Sequence, residues 1–89
     1  MSNPLALIVD DEPDIRELLE ITLGRMDIDT RAAADLKEAH ELLAQHQFDL
    51  CLTDMQLPDG NGIELVERIA HSSPRLPVAV ITALSLIHI

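Results

Sequence analysis

Hydrophobic positions along the chain switch between two periods. Leu5-Ala6-Leu7-Ile8-Val9 is an unbroken apolar run of strand length, and it ends in Asp10-Asp11-Glu12-Pro13. Proline in a first helical turn, with acids beside it, marks a helix start. Ile15, Leu18, Leu19, Leu23 and Met26 follow at helical spacing and predict one apolar stripe, weakened near its end by Gly24. Ile28 to Ala33 reads as a short strand. Asp35, with Glu38 three residues on, resembles a capping box. It opens a second helix whose buried face is Leu36, Ala39, Leu42 and Leu43. Phe48 to Thr53 reads as a third strand, followed again by an acid, Asp54. Leu57-Pro58-Asp59-Gly60-Asn61-Gly62 is turn chemistry throughout. Ile63, Val66, Ile69 and Ala70 predict a third helix. Ser72-Ser73-Pro74-Arg75 ends it, and Pro77 to Thr82 is a fourth apolar strand.

The predicted order is β-α-β-α-β-α-β. Such alternation implies a doubly wound α/β fold, a parallel sheet with helices on both faces and right-handed crossovers. Strands 1, 3 and 4 are continuous apolar runs, as expected where both faces are covered. The 89 residues make one domain at most. With 47% apolar residues and a single aromatic, Phe48, the core is built from Leu, Ile, Val, Ala and Met.

Charge and cysteine content exclude several functions. Sixteen acidic against six basic residues give a formal net charge of −10, which opposes direct nucleic-acid binding, since phosphate neutralisation needs clustered Lys and Arg. One cysteine, Cys51, cannot form an internal disulfide, and its place in a buried strand points to packing. Met1-Ser2-Asn3-Pro4 does not read as a signal peptide, and no apolar run is long enough to span a membrane. The expectation is a cytoplasmic domain. The histidines 40, 46, 71 and 88 do not have metal-site spacing. Arg16 is placed to pair with Glu20 one helical turn on.

Asp10, Asp11 and Asp54 each stand just past the C-terminal end of an apolar strand. Ligands of open α/β sheets bind outside those ends. If strands 1 and 3 are neighbours, about 4.8 Å apart, the three carboxylates converge. Ionised together they need a proton or a cation, and all-oxygen ligation suits Mg²⁺. A carboxylate beside Mg²⁺ can accept a phosphoryl group. Taken singly, acids after strands are ordinary caps and turn residues. Their common edge is what favours a site.

Leu7 to Pro13 and Leu52 to Gly62 resemble the two acidic motifs of a response-regulator receiver domain, and Val80-Ile81-Thr82-Ala83 resembles its third motif. The resemblance covers residues 5 to 83. It implies a flavodoxin-like fold with strand order 2-1-3-4-5. It also implies that Asp54 is the phosphoacceptor, taking its phosphoryl group from a sensor histidine kinase. Asp11 would bind Mg²⁺ directly, Asp10 mainly through water, and Gln56 through its backbone carbonyl. Thr82 would hydrogen-bond the phosphoryl group, and Pro58 and Gly62 would shape the loop. Leu57 to Gly62 is similar to the receivers of sigma-54 activators, a group that includes a pilus-gene regulator.

Against that pattern the chain reads as a partial receiver, 1–83, lacking a last helix-strand-helix and with it the lysine that ends the fifth strand. Lys37 is the only lysine. Losing such a cation would impair phosphorylation and switching. Leu84 to Ile89 departs from the polar loop of the family and is expected to be a non-native tail. An exposed fourth strand would favour self-association. Two other readings compete with the receiver of an absent transcriptional effector. One is a truncated fragment, not phosphorylated, that acts only by protein binding. The other is a Mg²⁺-dependent phosphohydrolase with an Asp nucleophile, against which Gln56 speaks, since such enzymes need a second Asp two residues on.

Overall fold

A computed structural model describes residues 3–81 of the chain. Thr82, the boundary at residue 83 and the tail 84–89 lie outside the described residues. The elements run β1 (Leu5–Val9), α1 (Pro13–Arg25), β2 (Asp29–Ala33), α2 (Leu36–Gln45), β3 (Leu50–Asp54), β4 (Gln56–Leu57), β5 (Gly60–Asn61), α3 (Gly62–Ser72) and β6 (Val78–Ile81). The main sheet has the order β2-β1-β3-β6, all parallel. The predicted turn at 57–62 is a small antiparallel hairpin, with Gln56 opposite Asn61 and Leu57 opposite Gly60.

β1 lies at the centre, and Ala6 to Val9 are wholly buried. Its side chains alternate between two cores, as strand pleating requires. Leu7 and Val9 pack with Ala33, Leu36, Ala39, Cys51, Leu57, Leu65 and Ile69 beneath α2 and α3. Ala6 and Ile8 pack with Leu23 beneath α1. Unbroken apolar runs are thus explained for β1. For β6 the expected double cover does not hold: Ala79 and Val80 are exposed, because β6 bonds to β3 alone among the described strands and α1 packs over β1 and β2.

Two helix stripes also need correction. In α1, Leu23 is buried, but Leu18 is 58% exposed, and Met26, the residue that caps the helix, is 63% exposed. The helix meets the sheet along Leu19 and Leu23 only, so the outer members of the stripe face away. In α3 the buried residues are Gly62, Leu65 and Ile69, while Ile63 and Ala70 are exposed. The reason is the start of the helix. Gly62 lies so close to β3 that a side chain there would collide with the Asp54 carbonyl oxygen. That contact fixes the inward face at 62, 65 and 69, three and four residues apart.

The end of α1 is closed by backbone alone. Ile28 N–H donates to the Leu23 carbonyl (3.0 Å) and Asp27 N–H to that of Gly24 (3.1 Å). This is the Schellman pattern, and Asp27 occupies its left-handed position at φ 61°. No helix among the described residues is long and apolar enough to cross a membrane.

Candidate functional site

The site is built where β1 and β3 end side by side. Val9 is in register with Thr53, so Asp10 and Asp54 leave the sheet at one level. Carboxylate oxygens of Asp10, Asp11 and Asp54 all lie within 4.8 Å of one another. Among the described residues this is the one such cluster, and no histidine joins it. The three acids predicted from strand ends therefore do converge.

Their surroundings differ. Asp10 is buried, at 5% exposure, whereas Asp54 is half-buried and Asp11 exposed. Burial raises the Asp10 carboxyl above the ordinary range, opposed by the Glu12 amide that donates to its Oδ1 at 2.8 Å. The negative charges of Asp54, Asp11 and Glu12 push it further the same way. A buried carboxylate crowded by like charge is the electrostatic condition that a hard divalent cation relieves. The donor set, oxygen only with open faces, fits Mg²⁺.

The loop carrying Asp10 and Asp11 is fastened at several points. Asp10 N–H donates to the Ala33 carbonyl (3.0 Å), and Arg16 Nη1 donates to the Asp10 carbonyl (2.7 Å). Spacing alone places Arg16 opposite Glu20 on the helix. The fold instead turns its guanidinium back toward the site, where the β1 carbonyl end is an acceptor that spacing alone does not reveal.

Asp54 is held from below. Thr53 is fully buried and its hydroxyl donates to the Asp54 carbonyl (3.0 Å). Gly62 N–H closes the loop onto the Met55 carbonyl (2.7 Å), and Met55 N–H reaches Ile81 on β6 (3.3 Å). Gln56 opens the hairpin, and Leu57 is buried in the core, which fixes the loop that carries the Gln56 carbonyl. Cys51 is fully buried two residues inside β3, and burial pushes its thiol up to about 12, so it packs as a small apolar group.

The sheet is parallel with helices on both faces, acids stand at adjacent strand ends, and a loop sealed at Gly62 follows the second. The chain belongs to the response regulator receiver domain family, whose model matches residues 6–87. Among named relatives it is similar to the response regulator protein PilR of Pseudomonas aeruginosa, at 69% identity over 83 residues. That match covers 93% of this chain and 19% of the relative, so the chain spans about a fifth of the relative's length. Among solved structures it is similar to the response regulator TrrA of Thermotoga maritima, in complex with Mg²⁺ and a beryllium fluoride (TM-score 0.86, 30% identity, 90% of this chain and 70% of that one). It is also similar to the beryllofluoride-activated NtrC4 receiver domain dimer (TM-score 0.80, 30% identity, 85% and 63%).

Proposed function

We propose that this chain is a phosphoacceptor that takes a phosphoryl group on Asp54 from a sensor histidine kinase. The observation that carries the reading is the convergence of three carboxylates on one strand-end ledge, with Asp54 the one anchored by β3 and sealed by Gly62. An Asp54 carboxylate oxygen attacks phosphorus, a P–O bond forms and the P–N bond of the donor phosphohistidine breaks. The electron pair of that bond returns to the imidazole nitrogen, which picks up a proton.

Asp10, Asp11, Asp54 and the Gln56 carbonyl are the groups that would hold Mg²⁺. When bound it supplies positive charge against the phosphoryl oxygens. The chain's own contribution is positioning. The Asp10 carboxylate is held by the Glu12 amide, and Thr53 holds the Asp54 backbone, so the strand end that carries the acceptor is fixed before transfer. Thr82, next after β6, is the group that would hydrogen-bond the arriving phosphoryl group. The output belongs to a transcriptional effector in a longer cytoplasmic protein, as it does for full-length regulators. The alternative phosphohydrolase lacks its second Asp, since position 56 is Gln.

The test is phosphorylation with a small phosphoramidate donor and Mg²⁺, read by intact mass. One added phosphoryl group on the chain, absent from Asp54→Asn, is the expected result. Equal labelling of both proteins would place the acceptor elsewhere, and catalytic release of phosphate over many turnovers would revive the hydrolase.

A further inference from the structure

The hairpin that follows Asp54 does more than turn the chain. Asp59, Gly60 and Asn61 engage two helix starts, the first two that of α2 and the third that of α3. Asp59 reaches across to α2, where its carboxylate accepts from the Leu36 N–H (2.9 Å) and the Lys37 N–H (3.1 Å). Gly60 lies against the Leu36 side chain so closely that a Cβ there would overlap it. Asn61 caps α3, its side-chain oxygen accepting from the Glu64 N–H (2.9 Å). The first turn of α2 is thereby closed by two carboxylates from different parts of the chain. Asp35 takes the Glu38 N–H (2.8 Å), as its own N-cap, while Asp59 takes the two amides before it. Helix N-terminal amides have no partner within the helix, so a carboxylate on them gains both hydrogen bonds and the helix dipole. The Leu36 amide foremost, with that of Lys37, holds the Asp59 carboxyl below the usual range.

From this geometry we infer that Asp59 is a positioning residue for the metal and phosphoryl site, tying the Gln56–Asn61 hairpin to the N-terminus of α2. The inference rests on the reading of the Gln56 carbonyl as a metal ligand. Gln56 sits at the base of the hairpin, paired with Asn61, and Asp59 sits at its tip. The base is fixed by the Gly62–Met55 bond and Leu57 by the core. The tip has its tie through Asp59. A loop fastened at base and tip presents its carbonyl in one place, whereas one fastened at the base alone can pivot. Groups that orient a metal ligand without touching the metal commonly change affinity by 10–100-fold when removed. The coupling is reciprocal: if Asp59 favours cation binding, cation binding must tighten the Asp59–α2 contact.

Mg²⁺ affinity of the full chain, measured by calorimetry, tests this with Asp59→Ala, Asp59→Asn and Asp35→Ala. Asp59→Ala should raise the Mg²⁺ Kd by about tenfold. Asp59→Asn keeps one acceptor oxygen and should fall between. Asp35→Ala removes a cap from the same helix without touching the hairpin. It should lower Tm yet leave Mg²⁺ affinity at the wild-type level. In the wild type, Mg²⁺ should slow hydrogen exchange at the Leu36 and Lys37 amides. A folded Asp59→Ala with wild-type affinity overturns the inference, as does an equal loss in Asp35→Ala. If Asp59→Ala does not fold, the Asn variant and the wild-type exchange carry the test, and no Mg²⁺ effect on those two amides overturns it. A wild type that does not bind Mg²⁺ at all defeats the metal-site reading itself, which separates the two failures.

Discussion

Asp10 is the residue whose chemistry is most out of balance. It is buried and hydrogen-bonded, yet its carboxyl is pushed up by desolvation and by neighbouring acids. The folded state therefore binds its proton more tightly than the unfolded chain, whose value is near 3.8. The stability this confers is complete below that value and is lost as pH rises through the raised one. The metal-free protein should accordingly melt at lower temperature above this window than within it. Asp10→Asn keeps an oxygen for the Glu12 amide and carries no charge. At neutral pH without metal it should melt at a higher temperature than the wild type. Excess Mg²⁺ should raise the wild type and not the variant. Thermal melts at a series of pH values decide this, and a variant no more stable than wild type would remove charge crowding as the governing effect.

At the scale of elements, α3 and the α1 terminus show which contacts hold the fold. Leu65 and Ile69 are buried against the sheet, and Ile63 is 48% exposed. Leu65→Ala should cost about 2–5 kcal/mol. Ile63→Ala should cost under about 0.5 kcal/mol, as at an ordinary surface position. Comparable losses in urea titrations would mean the helix is rotated from the orientation described. At the α1 end, Asp27 holds a left-handed conformation that costs a side-chain-bearing residue about 1–2 kcal/mol. Asp27→Gly should recover part of this and raise the denaturation midpoint without altering the slope. The apolar spacing of α3 was legible in the sequence, but its rotation was not. Helical spacing does not single out Leu65, because Ile63, Val66 and Ile69 also make a plausible stripe. The tie-breaker is the approach of Gly62 to Asp54, a contact between residues eight apart in the chain.

Across the whole molecule, the two cores divide unequally. α2 and α3 share one face, whereas α1 covers β1 and β2 on the other. Leu18 and Ile21 on α1, Met26 just past its end and Val80 on β6 are exposed. Among the described strands β6 has one hydrogen-bonded neighbour, and unpaired edges recruit other chains. Self-association through this edge is the expected behaviour of the 89-residue chain at tens of micromolar. Sedimentation velocity checks it: a single monomeric boundary across that range would show the edge to be protected. A Val80→Lys exchange should shift any oligomer toward monomer, since lysine on an edge disfavours pairing.

What the sequence determined by itself was the order of elements and the chemistry at the strand ends. Apolar runs of strand length, helical spacing and turn residues are local signals, and local physics reads them. Convergence of Asp10, Asp11 and Asp54 was conditional on β1 and β3 being neighbours, and the parallel pairing of Val9 with Thr53 met that condition. Only the tertiary structure decided the rest. Arg16 turns to the Asp10 carbonyl rather than to Glu20. Asp59 leaves its turn to cap α2. Asp27 takes the left-handed place that glycine usually fills. Each of these depends on an acceptor, donor or backbone path brought close by packing, and a hydrogen bond formed at under about 3 Å leaves no periodic trace in the order of residues.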